Sequence, residues 1–282
     1  MDKSQETEII SLKMMLARPV IPKEHGAWAV FFVPLLIGAR LGGGFDWFAL
    51  FFTLSSLGIF LSYLPAQTVL REAFDRTQDQ EKLLAARQWT AIYFTAGIIL
   101  SLPVLVIRER WLLLPIGVAS MGCFLLSFFL TKRKPKTITS DLVSVLGVTL
   151  TGLGMYYVVS GQLDRTAFVV WLLDILFFGS CVFNVHMRIR ALAAKKVQWS
   201  FRDRFTCGRL NLIFHVVMIA ILLLLVFEQL TPFPVLLAFA PITIHAVWGT
   251  VKLANDPDFR KLGLTLLGHS AVFMMLVFVL LR

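Results

Sequence analysis

Nine apolar blocks of roughly 16 to 24 residues, separated by short charged stretches, dictate what this chain can fold into. Lipid offers a backbone N–H or C=O no water to bond with, so a segment that crosses it must satisfy those groups internally, as a helix. The blocks predict spans at 26–41, 47–70, 89–107, 111–131, 140–160, 165–185, 210–227, 233–252 and 262–281. With 57% hydrophobic and 16% charged residues in 282, the chain lacks the polar surface to cover a soluble domain. The expected fold is all-α: a polytopic membrane helical bundle of about nine helices. The first span is the shortest and contains Pro34, so a kink or a partly re-entrant turn is expected there.

Basic residues test the count. With the N-terminus inside, 22 of the 27 Lys and Arg residues fall on that side, and only Arg40, Arg108, Arg110, Arg165 and Arg282 fall outside. Adding or removing one span in mid-chain would destroy this asymmetry, so the expected topology is nine spans, N-in and C-out, in the cytoplasmic membrane. A segment 1–25 is expected to be cytoplasmic and 26–282 to form one membrane domain, with inside loops at 71–88, 132–139, 186–209 and 253–261. Topology and an anionic inner leaflet account for the net charge of +10, which leaves no call for a nucleic-acid partner.

Residues 1–24 carry Asp2, Glu6 and Glu8 and lack the layout of a cleaved signal, so the first span is expected to be retained. The three cysteines, Cys123, Cys181 and Cys207, lie apart and predict no disulfide. No Gly-rich phosphate loop, His-Glu-x-x-His or Gly-x-Ser-x-Gly occurs. Gly147, Gly152 and Gly154 in the fifth span are small residues suited to close helix packing.

Polar chemistry concentrates at the inside ends. Glu72, Asp75 and Asp79 are spaced i, i+3 and i+7, on one stripe if the second helix runs on past the lipid. Three carboxylates there suit a hard cation such as Mg²⁺, or else they simply balance Arg71 and Lys82. The stretch Arg71–Asp79 resembles the first acidic motif of the UbiA superfamily of intramembrane prenyltransferases, Asn-Asp-x-x-Asp-Arg-x-x-Asp. Glu72, Asp75, Arg76 and Asp79 match it in charge and spacing, while Arg71 stands where that family has Asn. The resemblance implies a nine-helix bundle whose inner loops bind Mg²⁺ and a prenyl diphosphate. The second loop departs from the pattern, reading Phe183-Asn184-Val185-His186-Met187-Arg188-Ile189-Arg190 with no carboxylate before Asp203. Asn184 with Arg188, and His186 with Arg190, share helical stripes, and the two arginines either grip phosphate directly or serve as positive-inside anchors.

Pro22-Lys23-Glu24-His25-Gly26-Ala27-Trp28 opens the first span, where Glu24 and His25 sit at a helix N-terminus suited to an anion, or to a cap beside an interfacial Trp. This segment resembles the opening of the YwiC-like bacterial membrane proteins, and the resemblance covers the whole chain by length and layout. All five histidines, His25, His186, His215, His245 and His269, fall in the inner half, which favours a shared polar cavity. Asp174 is the only acid deep in a span and must face the bundle interior, paired or protonated.

The resemblances imply a cavity open to the cytoplasm for an isoprenoid diphosphate or similar lipid-like ligand. Asp75, Asp79, Glu24 and His25 are then the candidate catalytic residues. Arg71, Asn184, His186, Arg188 and Arg190 are candidates for the head group, and Glu72, Asp75 and Asp79 for Mg²⁺. Two rival readings follow from the residues: a small-solute or ion carrier with Asp174 as coupling acid, and a haem- or quinone-associated respiratory accessory protein using the histidines.

Overall fold

A computed structural model describes residues 19–22, 25–75, 80–131, 137–194, 196, 198–253 and 258–281, with the backbone alone for His25 and Asp75. Among the described residues there are nine α-helices and no strand: α1 (His25–Gly42), α2 (Trp47–Asp75), α3 (Gln80–Leu102), α4 (Leu113–Thr131), α5 (Ile138–Ser160), α6 (Arg165–Ala194), α7 (Phe201–Phe227), α8 (Val235–Val251) and α9 (Phe259–Leu280). All nine expected spans are present. Seven helices are long and apolar enough to cross a membrane; α1 and α8 hold the two shorter apolar stretches, Gly26–Gly42 and Val235–Val251. Seventeen residues at ~1.5 Å each reach about 25 Å, a little under the usual hydrocarbon thickness of ~30 Å.

Two expectations need adjustment. α1 runs through Pro34 as one helix from His25 to Gly42. The stretches 71–88 and 186–209, expected as long loops, are mostly helix, because α2 continues to Asp75, α3 starts at Gln80, α6 runs to Ala194 and α7 starts at Phe201. Polar residues at a span end can continue a helix into water, so hydropathy marks where lipid stops, not where the helix stops. At Pro103 the missing N–H breaks the regular ladder, and α3 ends in a π-helical turn, Pro103–Ile107, closed by Arg108 N–H donating to the Pro103 carbonyl at 3.3 Å.

The packing has a clear centre. In α5 and α6, 61% and 56% of the apolar stretch is buried inside the protein, against 11% in each of α3 and α4. α1, α5, α6, α7, α8 and α9 close a ring of neighbours, with α9 returning to α1, while α2 and α4 lie on α5, and α3 lies on α2. Hydrocarbon tails are as apolar as leucine, so helices associate in lipid by close contact and hydrogen bonds rather than by hydrophobic exclusion. α1 and α5 approach through Gly38, Gly42 and Gly152: a Cβ on Gly38 would fall 2.2 Å from the Gly152 carbonyl oxygen, and one on Gly152 would fall 2.8 Å from the Pro34 carbonyl oxygen. Gly58 and Gly97 do the same for α2 and α3, where Ser55 Oγ donates to the Gly97 carbonyl at 2.7 Å. Gly147 and Gly154 admit Cys123 of α4 and Phe52 of α2, so α5 meets three helices through three glycines, the role expected of them. α4 is tied further by Ser127 Oγ, which donates to the Ser140 carbonyl at 3.0 Å.

Polar residues frame both ends. At the end where α2 begins, Asp46 caps α2 through the Ala49 N–H and pairs with Arg108, whose guanidinium lies over Phe48. Arg110 lies over Tyr157 and donates to the Val158 carbonyl, and Asp164 caps α6 while accepting from Tyr156 Oη at 2.9 Å. At the other, basic end Asp258 caps α9, and the Lys261 N–H holds its carboxyl below the usual carboxylate range.

The glycine contacts carry a prediction. Gly38→Ala should destabilise the protein by about 1–3 kcal/mol, since a rigid backbone oxygen lies in the way. Gly117→Ala and Gly122→Ala, with nothing within 4 Å, should leave thermal unfolding in detergent unchanged. An unchanged midpoint for Gly38→Ala would contradict the α1–α5 contact.

Candidate functional site

The basic ends of α6, α7 and α8 hold the buried polar side chains of Asn184, His186, Asn211, His215 and Thr250. On α6, Asn184 is fully buried and neither amide atom has a partner; one turn on, the Arg188 Nε is also buried without one. The Arg188 guanidinium reaches α8 at Gly249, where a Cβ would stand 2.9 Å from its Nη2. One turn along α8, His245 lies within electrostatic reach of Arg188 and meets His269 of α9 edge to face, with ring centroids 5.1 Å apart. The Nε2 atoms of both rings are buried and unpartnered.

α7 supplies the remaining wall. Asn211 is buried, donating weakly to the Ala246 carbonyl at 3.5 Å and to Met187 Sδ at 3.7 Å, and its Oδ1 is unpartnered. The next turn brings His215, buried, with Nδ1 held 2.8 Å from the Asn211 carbonyl oxygen and Nε2 unpartnered. Nδ1 can then carry the proton and donate, which leaves Nε2 as an acceptor. Phe183 stacks on Phe214 at 4.5 Å, and Gly208 sits where a Cβ would meet Thr250 and Met187, so α6, α7 and α8 are in register here. Buried polar groups in a bilayer are expensive unless paired, and a set of unpartnered donors and acceptors at one level is the arrangement of a ligand site.

Of the five histidines, His245 and His269 meet each other with Arg188 within electrostatic reach, while His215 lies on α7 against the Asn211 carbonyl. His186 takes a different part. Its Nε2 lies 2.8 Å from Asp141 Oδ2 in the first turn of α5, tying α5 to α6. Arg190 points toward α7, within electrostatic reach of Cys207. Sequence reasoning passed over Asp141 and Asn211; the one usable signal was Asn211 standing four residues before His215.

Glu24 and Asp79 lie outside the described residues, as do the side chains of His25 and Asp75. Arg71 is exposed at the end of α2, and Glu72 is half-buried there. Beside them Phe74 packs against Phe128 and Phe129 of α4, whereas Arg188 packs against α8; α2 has α3 and α5 as its main neighbours. Among the described residues no three His, Cys, Asp or Glu side chains are placed to hold a metal ion. His245 and His269 touch directly, so this pair leaves no gap for a porphyrin plane. In the Pro22–Trp28 segment, Trp28 Nε1 donates to the Pro22 carbonyl at 3.2 Å and its ring stacks on Phe32, which fastens the start of α1.

Among the described residues, nine helices, seven of them long and apolar enough to cross a membrane and several packed through glycines, define a polytopic helical membrane protein. Residues 21–156 match the family model described as YwiC-like protein, which bears out the likeness of the opening segment. An uncharacterised protein of Haemophilus influenzae is 24% identical over 92% of this chain and 98% of its own length. The uncharacterised protein YwiC of Bacillus subtilis is 27% identical over 61% of this chain and 68% of its own. No solved structure gives a significant match.

The His186–Asp141 pair is directly testable. His186→Ala and Asp141→Ala should each lower stability by about 1–3 kcal/mol. Their double mutant should fall short of the sum by roughly 0.5–3 kcal/mol, read from denaturant unfolding in detergent. Strictly additive losses would show that the two side chains act separately.

Proposed function

We propose that this chain receives an amphiphile with an anionic head, an isoprenoid diphosphate or a lipid of like chemistry, at the basic end of the bundle. That end is taken as the cytoplasmic face of the cell membrane, on the strength of the charge asymmetry. One observation carries the reading: Arg188, His245 and His269, from three different helices, stand together at the end of the bundle where the Asn184 amide, Asn211 Oδ1 and His215 Nε2 are buried without hydrogen-bond partners. A guanidinium offers a planar fork of donors that fits phosphate, and imidazole and amide N–H groups complete such a shell.

The transferase form of the reading adds Mg²⁺ held by Glu72, Asp75 and Asp79, which when bound would neutralise the charge of a diphosphate leaving group. Its support is the motif spacing alone. A second reading, a carrier of a small solute or ion, is favoured by Asp174, which is fully buried with both carboxyl oxygens unpartnered.

The test is binding of a radiolabelled prenyl diphosphate to purified protein, with and without Mg²⁺. Saturable binding is expected, weakened about 10- to 100-fold in Arg188→Gln, the equivalent of a lost charged hydrogen bond of ~1.5–3 kcal/mol. Mg²⁺-dependence lost in Asp75→Asn would support the transferase form. Binding unaffected by Arg188→Gln would overturn the head-group site. Solute uptake abolished by Asp174→Asn, with Asp75→Asn silent, would move the assignment to the carrier.

A further inference from the structure

Asp174 stands apart from the cluster at the basic end. It lies roughly 14 Å along α6 from Arg165, at ~1.5 Å per residue, and about 21 Å from Arg188. Its side chain is 0% exposed, and neither carboxyl oxygen has a hydrogen-bond partner. No cation stands at its level on the helices packed around α6. α1 has no ionisable residue from Gly26 to Ala39, α5 none from Leu142 to Met155, and α7 none from Val216 to Phe227. α8 carries only His245, and α9 none from Ser270 to Leu280. On α6 itself the nearest titratable groups are Cys181, seven residues toward the basic end, and Arg165, nine residues away at the opposite end of the helix. A carboxylate with no counter-charge in so apolar a place calls for a cation small enough to need no coordination shell. A proton meets that condition, because it neutralises the carboxylate where it stands and needs no further ligands.

Between Asp174 and the basic end stands a layer of rings. Phe177 and Phe178 follow Asp174 by one helical turn on the same face of α6. Phe177 stacks on Phe273 of α9 at 4.2 Å, and Phe239 of α8 meets Phe273 edge-on at 5.2 Å; all four rings are buried. On the far side of this layer come Ser180, then Asn184 and His215, buried and, in the last two, with unpartnered polar atoms. The order from the basic end is therefore polar cluster, aromatic layer, isolated acid.

We propose that Asp174 is a proton-binding site, and that the Phe177–Phe239–Phe273 layer is the gate through which it exchanges with the polar groups at the basic end. The proton comes from water there, one carboxylate oxygen takes it, and His215 Nε2, the Asn184 amide and then Ser180 Oγ are the polar stations before the rings. The site does not depend on the amphiphile reading, and a prenyl diphosphate need not bind for it to hold.

The experiment is infrared spectroscopy of the full chain in lipid vesicles across an acid-to-alkaline pH series, followed by transfer into D₂O. The wild type should show the carbonyl stretch of a protonated carboxylic acid that is lost in Asp174→Asn and displaced in frequency in Asp174→Glu. Its D₂O shift should be several-fold faster in Phe273→Ala and intermediate in Phe273→Leu, the milder change that guards against misfolding. Absence at every pH of a band that depends on Asp174 would overturn the proton site. A band that exchanges at one rate in wild type and both Phe273 variants would overturn the gate.

Discussion

The contact on which the rest of this bundle depends is the backbone approach of α1 and α5. Water drives soluble helices together, but lipid supplies no such push, so a helix pair in a membrane must win its stability from contact itself. Gly38 and Gly152 remove every side-chain atom between the two backbones, and the Pro34 carbonyl lies within the same contact. With α1 fixed, α5 can take α2 and α4 on its other sides through Gly154 and Gly147, and it presents its remaining face to α6.

That remaining face sets the position of the site. Trp171 Nε1 donates to Thr149 Oγ at 3.1 Å near one end of the α5–α6 contact, and His186 meets Asp141 at the other. These two hydrogen bonds fix both the rotation and the height of α6. Rotation matters because Asn184 and Arg188 share a stripe distinct from that of His186: holding His186 toward α5 turns Arg188 toward α8. His186, a candidate for the head group, is held against Asp141, and the same rotation of α6 turns Arg188 toward α8.

Much of the fold was legible because lipid imposes a length on each helix and a sign on each loop. Among the described residues each of the nine apolar blocks holds a helix, and α1 runs on through Pro34 without a re-entrant break, as a proline can be tolerated where neighbouring helices pack against it. Depth was legible too, which is why the histidines were placed in one half. Azimuth was not. With lipid and protein interior both apolar, no periodic contrast tells which face of a span looks inward, and the pairing of His245 with His269 or of His186 with Asp141 could not be read. The candidate site divides along the same line: Asn184 and Arg188 joined a cluster, while the stripe beginning at Glu72 depends on Asp75 and Asp79 side chains outside the described residues.

Arg188 differs in its surroundings from the other basic residues at this end. Many arginines and lysines at this end are accounted for by position alone, and several have plain local roles. Lys196 pairs with Asp203 at 2.5 Å, Arg204 Nη1 donates to the Val251 carbonyl at 2.8 Å, and Lys252 lies over Trp248. Arg188 has none of these outlets. Its stem runs into the interhelical space, its Nε is buried without a partner, and its guanidinium occupies room that any side chain at Gly249 would fill. An anchor would extend along the helix to the interface, where water solvates it freely. A cation turned instead into the bundle, beside the unpartnered Nε2 atoms of His245 and His269, gives up part of that solvation, a cost that an anionic ligand of the kind proposed would offset.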